Sequence, residues 1–339
     1  MVAVFRPVQE NDLEAIYQLA LQAGFGITTL PKDREELHLR IERSLNSFAK
    51  TVESPFDENY FFVLEDLATN SIVGTSAIEA AVGHKLPFYG YRVSRIFNIC
   101  HSLGIRVEYD VLTLNNDFQG MTEIGTLYLH ENSRCNHNGL LLSLARFLFI
   151  GCERERFSKK VIAEMRGVSD ENGLSPFWEC FGRHFFKMSF VEADRLSVLT
   201  DKQFISDLLP HHPVHVNLLD PKAQQAIGKP HNSTKPAMKI LQREGFNYNY
   251  YVDIFDAGPA IQAETDAIRT VKQQQYLPVK KIVNQLDDGN DYFLANNRLD
   301  FRAIKHKAKI EFQTVVITEE AARILDVVTG DKVQIINFK

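Results

Sequence analysis

No run in this chain approaches eighteen consecutive apolar residues, which excludes a membrane-spanning helix on length alone. The opening segment "MVAVFRPVQENDLEAIYQLA" lacks an apolar core of signal-peptide shape, which predicts a protein that is not exported. Cysteine is sparse. Cys100, Cys135, Cys152 and Cys180 show no CxxC spacing, and a chain of 339 residues needs no disulfide staples, so reduced thiols in the cytoplasm are expected. Positive charge is not in excess either: 38 Lys and Arg stand against 43 Asp and Glu, a formal net charge of -5. That balance argues against a nucleic-acid surface as the main business and leaves small anionic ligands allowed.

What is present is a large folded chain with 45% hydrophobic and 11% aromatic residues, as soluble proteins have. Its length implies more than one domain. "VAVFRPV" reads as a strand, "QENDLEAIYQLALQAG" as a helix capped by Asn11 or Asp12 and stopped at Gly24, and "LPKDREELHLRIERSLNSF" as a second helix after Pro31. "YFFVLED" and "SIVGTSAIEAAVG" form a hairpin through Ala68, Thr69 and Asn70, and "KKVIAEMRGV" is a later strand. "PFWECFGRHFFKMSF" and "AMKILQREGFNYNYYVDIF" each read as a helix ended by a glycine, Gly182 or Gly245, and followed by an aromatic strand. The polar segment between them, residues 199–236, is too long for a plain loop, and such segments are usually functional. Residues 273–281, "QQQYLPVKK", read as a linker. It separates a main domain, 1–272, from a small β-rich domain, 282–339, built of "DYFLANN", "FRAIKHK", "IEFQTVVIT" and "KVQIINF" with the helix "EEAARILDVV". The fold class expected is α+β.

The most informative stretch is "TEIGTLYLHENSRCNHNGLLLSLARFLFI", a strand, a basic turn and a helix. A helix N-terminus presents unpaired amides and partial positive charge, and so suits a phosphate. Gly139 permits close approach there, and Arg134 adds a charge.

The order strand, helix, helix, hairpin, strand, basic turn, helix resembles the GNAT superfamily of CoA-dependent acyltransferases. Its pyrophosphate loop, R/Q-x-x-G-x-G/A, corresponds here to Arg134-Cys135-Asn136-His137-Asn138-Gly139, with His137 in place of the first glycine. The blocks "GITTLPKDREELHLRIERSLNSF", "EIGTLYL", "AEMRGVSDENGLSPFWECFGRHFFKMSF" and "EGFNYNYYVDIFDAGP" resemble the arginine N-succinyltransferases over almost the whole chain.

That resemblance implies a GNAT-like mixed sheet flanked by helices. The implied reaction transfers a succinyl group from succinyl-CoA, as cosubstrate, to the α-amino group of L-arginine, with no permanently bound cofactor. Ornithine is the alternative acceptor, and a non-catalytic acyl-CoA-binding protein is the rival from another class. The resemblance implies His231 as proton donor and Leu127 as a succinyl-CoA contact through its main chain, shared with Leu129. Arg134, His137, Asn138 and Gly139 would hold the pyrophosphate. Glu79, Glu123, Glu164 and Arg166 are candidates for the guanidinium and carboxylates of the substrate. Neither nucleic acid nor membrane is expected as a partner, and a homo-oligomer or a hetero-oligomer with a paralogous subunit is.

Cys135 and Cys152 have no His at a spacing that forces a nucleophilic pair, and direct transfer needs neither. His211, His212 and His215 lack an acidic or cysteine partner for a metal site. Phe177, Trp178, Phe181, Phe185 and Phe186 read as core. The C-terminal unit, similar to small β-barrels that include DNA binders, lacks a basic cluster apart from Lys305, Lys307 and Lys309, and reads as a packing or oligomerisation module.

Overall fold

The computed structural model describes residues 2–23, 29–85, 87–199 and 203–338. The expected helix stop at Gly24 lies outside them. Among the described residues fifteen strands make one continuous sheet. The first ten are β1 (Ala3–Pro7), β2 (Asn59–Asp66), β3 (Ser71–Glu79), β4 (Gly90–Cys100), β5 (Ile105–Asn115), β6 (Thr122–Leu129), β7 (Lys160–Glu164), β8 (Val214–His215), β9 (Asn247–Val252) and β10 (Pro259–Glu264). The last five are β11 (Gln275–Val283), β12 (Asn290–Asn296), β13 (Ala303–Glu311), β14 (Thr314–Thr318) and β15 (Lys332–Ile336). Helices α1 (Leu13–Gln22), α2 (Arg34–Ala49) and α3 (Asn138–Cys152) flank the first part. Later come α4 (Arg183–Phe186), α5 (Phe190–Leu199), α6 (Gln203–Leu208), α7 (Pro221–Ala226), α8 (Lys235–Arg243), α9 (Arg269–Gln273) and α10 (Glu319–Leu325).

The main body runs β1-β2-β3-β6-β7-β10-β9-β4-β5-β8, antiparallel except for the β6–β7 pair. This is the α+β, GNAT-like mixed sheet expected of the chain. The remaining strands run β12-β15-β11-β14-β13, and β12 also pairs β13, so they close into a five-stranded barrel. Closure leaves no free edge. One strand pairing joins the two parts: β1 pairs β2 on one side and barrel strand β13 on the other, with Val4 opposite Ile304.

Helix α3 is central. Its sequence "NGLLLSLARFLFIGC" is apolar around most of its circumference, and such a helix must be covered on every side. Phe147, Leu148, Phe149 and Ile150 are fully buried, and Phe149 meets Phe62 of β2, Phe157 and Phe301, the last just before β13. A second cluster gathers Phe177, Trp178, Phe186 and Phe255, with the Trp178 indole donating to the Met188 carbonyl at 3.1 Å. Those aromatics are core, apart from Phe185, which is exposed.

Several sequence expectations need correction. Gly182 does not end a helix: the chain passes through it in right-handed helical conformation, within a π-turn at Trp178–Gly182 that continues into α4. A Cβ there would lie 2.3 Å from the Trp178 ring, so the glycine serves packing. Lys187, at φ 57°, makes the stop, and a helix, α5, follows in place of the expected strand. Gly245 does end α8, at φ 102°, ahead of β9. The stretch read as a linker is β11, because Leu277 and Val279 are needed inside the barrel. "IEFQTVVIT" is two strands, turned at the exposed Phe312 with φ 56°. The polar segment around 199–236 carries structure of its own: β8 pairs β5, and α7 buries Ala223 and Ala226. The long β4–β5 hairpin has no counterpart in the sequence reading, and its outer half exposes Ile96, Phe97, Ile99, Ile105 and Val107.

Candidate active site

β6 and β7 begin as parallel neighbours, with Thr122 opposite Val161 and Glu123 opposite Ile162, and then part company. Among the described residues no strand pairs the β7-facing edge of β6 beyond Glu123. On the other side, Thr75 of β3 faces Tyr128 while Ala77 faces Gly125, so β6 carries one residue more than β3 across that interval. This is a β-bulge, a device that bends a strand and redirects its groups. Thr126 sits in it at φ 54°, a conformation that β-branched residues rarely adopt. Such strain persists only where the surroundings over-determine it. Here Arg40 donates to the Thr126 hydroxyl at 2.9 Å and to the Thr29 carbonyl at 2.5 Å, while Thr75 donates to the Thr126 carbonyl at 3.0 Å.

The parted strands enclose a cavity of about 210 Å³. Glu123, Leu127, Glu164 and Arg166, all singled out in the sequence, line it together with Arg146, Asp253, Phe255 and Asp256, which were not. A second cavity of about 440 Å³ shares Thr29, Glu123, Gly125 and Thr126 with the first. It holds Arg40, Arg43 and Glu79. Glu79 lies opposite Glu123 on β3 and β6 and is already engaged, taking Arg43 at 2.8 Å and the Asn59 amide at 2.6 Å.

The basic turn lies at the far end of β6. Asn136 and His137 both have positive φ, 49° and 67°, so the turn takes two left-handed residues in succession. His137 is the residue before α3 and packs its ring 5.0 Å from that of Phe338. Asn138 opens the helix, with its side-chain amide bonded to the Ser133 carbonyl at 3.1 Å. Arg134 folds back to donate to the Leu129 carbonyl at 3.3 Å. The first-turn amides at Gly139 and Leu140 have no intrahelical acceptor by position. A cavity of about 440 Å³ on this side is walled by Asn136 and Asn138 and by barrel residues Lys305, His306 and Lys307.

His231 is fixed by a chain of backbone contacts. Asp253 accepts from the amides of Phe255 and Asp256, closing a turn. Asp256 then accepts from Gly167 at 2.6 Å and Gly258 at 2.8 Å, drawing the end of β7 against the start of β10. The approach is close enough that a Cβ on Gly258 would meet the Met165 carbonyl at 2.1 Å. Gly167 bridges Pro230, and the His231 amide donates to the Arg166 carbonyl at 2.8 Å. Arg166 and Thr234, which this segment bonds, line the cavity, while the His231 ring lies outside its lining residues. Its Nδ1 lies 2.7 Å from the Ser233 hydroxyl and 3.2 Å from the Ser233 amide, contacts that hold the ring through that nitrogen. Partial burial, and then the charge of Arg166, lower its pKa below the ordinary 6.5. Burial pushes the Asp253 carboxyl up.

The four cysteines are free thiols, and burial pushes Cys152 up to about 12, far from a reactive thiolate. Among the described residues no cluster of three or more His, Cys, Asp or Glu is disposed to hold a metal. No helix among them is long and apolar enough to cross a membrane. The acids missed in the sequence, Asp253 and Asp256, lie in the quoted block "YVDIFDAGP"; their two-residue separation across a turn was the available signal. Arg146 had another, a lone charge within an otherwise apolar helix.

Comparison with known proteins adds to this geometry. Residues 3–270 match the family model described as arginine N-succinyltransferase beta subunit, and residues 275–337 match that of its C-terminal domain. An arginine N-succinyltransferase of Yersinia pestis is 42% identical over 98% of this chain and 97% of its own length. The arginine N-succinyltransferase subunit beta of Pseudomonas aeruginosa is 44% identical, again over 98% and 97%. The solved structure of arginine/ornithine succinyltransferase subunit AI from Pseudomonas aeruginosa superposes with a TM-score of 0.89 and 37% identity, covering 99% of this chain and 98% of that one.

Proposed function

We propose a reaction from one premise: this chain belongs to the arginine N-succinyltransferase family and is an acyltransferase. The reaction is transfer of succinyl from succinyl-CoA to the α-amino group of L-arginine, giving N2-succinyl-L-arginine and CoA. The observation that carries this reading is the open edge of β6 at its bulge, which borders a cavity and leads to the start of α3. An extended pantetheine arm can add to such an edge as a strand would, bonding the main chain at Leu127. The Leu129 carbonyl, taken by Arg134, ties that arm's path to the turn. There the first-turn amides, with Arg134, His137, Asn138 and Gly139 around them, hold the pyrophosphate.

The thioester carbonyl then lies over the cavity. The neutral amine of arginine attacks its carbon, the C–N bond forms, and the neutral His231 ring takes the proton that the amine sheds. As the tetrahedral intermediate collapses the C–S bond breaks, and the ring, now protonated, gives that proton to the departing thiolate. Glu123 and Glu164 read the guanidinium. Glu79, held by Arg43 and Asn59, supports the neighbouring wall. Arg166 faces the substrate's carboxylates.

Ornithine is a second acceptor on this reading, because the superposable Pseudomonas protein is described as acting in arginine/ornithine succinyl transfer. Two relatives are named as subunits, which supports an assembly for this chain too, with itself or with a paralogue. The deciding experiment follows free-thiol release from succinyl-CoA with L-arginine, L-ornithine or no acceptor. Arginine-dependent release is expected, and His231→Ala should reduce it by about 10²- to 10⁴-fold, the range of general acid–base catalysis. Unchanged release in the variant would remove His231 from the chemistry. No release with either acceptor would point to a binding protein or a missing subunit.

A further inference from the structure

Arg146 lies in the middle of α3, with 1% of its surface exposed, and lines the cavity between β6 and β7. Its hydrogen bonds are local and neutral, to the Ser143 carbonyl at 3.1 Å and the Ser143 hydroxyl at 3.0 Å. Among the described residues no carboxylate comes within 4.0 Å of it. Elsewhere this protein pairs its enclosed arginines. Arg6 has Asp12 and Glu65, Arg156 has Glu153, and Arg269 meets the buried Glu244. Burial pushes the Arg146 guanidinium down to about 9, with no charged neighbour to offset it, so it keeps its proton at neutral pH. A buried charge without a counter-charge is costly, and evolution ordinarily pairs it or removes it. Methionine or leucine would suit the same helix position.

We propose that Arg146 is a second carboxylate-recognition residue of this cavity beside Arg166, completing its ion pair with the terminal carboxylate of the acyl group or the α-carboxylate of the amino-acid acceptor. The proposal rests on the acyltransferase reading above. A planar guanidinium offers two parallel donors to a carboxylate, which a lysine does not. The other titratable groups on the cavity wall are Glu123, Glu164, Asp253, Asp256 and Arg166. The glutamates suit the cationic side chain of an acceptor and leave the anionic ends of the ligands to the two arginines, Arg146 and Arg166.

The test measures binding by calorimetry and needs no turnover. One arm compares succinyl-CoA with butyryl-CoA, which has the same chain length and no carboxylate. The other, with CoA present, compares L-arginine with agmatine, its decarboxylated analogue. Wild type should favour the carboxylate-bearing ligand by about 10²-fold in the arm to which Arg146 belongs. In Arg146→Met that preference should collapse toward one, while the other arm stays unchanged and the melting temperature rises as an unpaired buried charge is removed. Arg146→Lys, which keeps the charge and loses the fork, should weaken the same arm alone. Preferences unchanged in both arms, or equal losses in both for both variants, would overturn the proposal. Absence of thiol release in the wild type would sink the reaction and still leave these ratios to decide Arg146.

Discussion

Thr126 concentrates what the sequence could and could not announce. The block "EIGTLYL" is legible as a strand, but nothing in it marks the bulge, because the extra residue is defined only against β3. Gly139 was legible and its role is testable. A Cβ there meets only the Leu129 side chain at 3.6 Å, an ordinary contact, so Gly139→Ala should fold and gain up to about 1 kcal/mol of helix stability. Its KM for succinyl-CoA should nonetheless rise several-fold if phosphate approaches the main chain at that point. A raised melting temperature with unaltered KM would remove Gly139 from the cofactor site. His231 gives a pH prediction. Its folded pKa is lowered, so the ring stays neutral, with Nδ1 held by Ser233, to a lower pH than an ordinary histidine. The acid limb of arginine-dependent activity should therefore inflect below pH 6.5. Arg166→Gln removes a positive neighbour and should move the inflection up; an inflection that stays put would mean that another group titrates.

At the scale of elements, pattern served where one face is buried and failed where context decides. The α1, α2 and β2–β3 segments follow directly from periodicity and turn residues. Gly182 misled because a glycine is as useful for letting a ring approach as for ending a helix, and the sequence does not distinguish the two. The joint between β7 and β10 makes the same point for the site. Gly167, Gly258 and Asp256 were invisible as a unit, since 89 residues separate Gly167 from the carboxylate that holds it. Gly258→Ala would force a Cβ against the Met165 carbonyl, and overpacking of this kind costs about 1–3 kcal/mol. The expected outcome is a lower melting temperature with a disproportionate loss of kcat, because the shifted strand end carries Arg166 and, through its carbonyl, His231. A kcat close to wild type in a destabilised variant would show that the joint does not position the histidine.

For the molecule as a whole, the sequence reading divided the chain at a linker that the structure replaces with β11. We propose that the two parts unfold together. Phe293, Phe301, Ile336 and Phe338, contributed by the barrel and its flanks, share one core with Phe5, Phe62 and Phe149. Thermal unfolding should accordingly give one transition, and a chain ending at residue 272 should be insoluble; two separated transitions would contradict this.

The strand β1 carries that union, and its partner in the barrel lies far along the chain. Val4 and its partner Ile304 are 300 residues apart, so at roughly 5–20 residues per second of synthesis the barrel-facing edge of β1 waits on the order of 15–60 s for its neighbour. During that interval a strand that is interior in the finished protein is an exposed edge, the kind of surface that recruits other chains. Ribosome-bound chains arrested before residue 303 should therefore be far richer in bound chaperone than chains that include the barrel, and equal chaperone occupancy would contradict this.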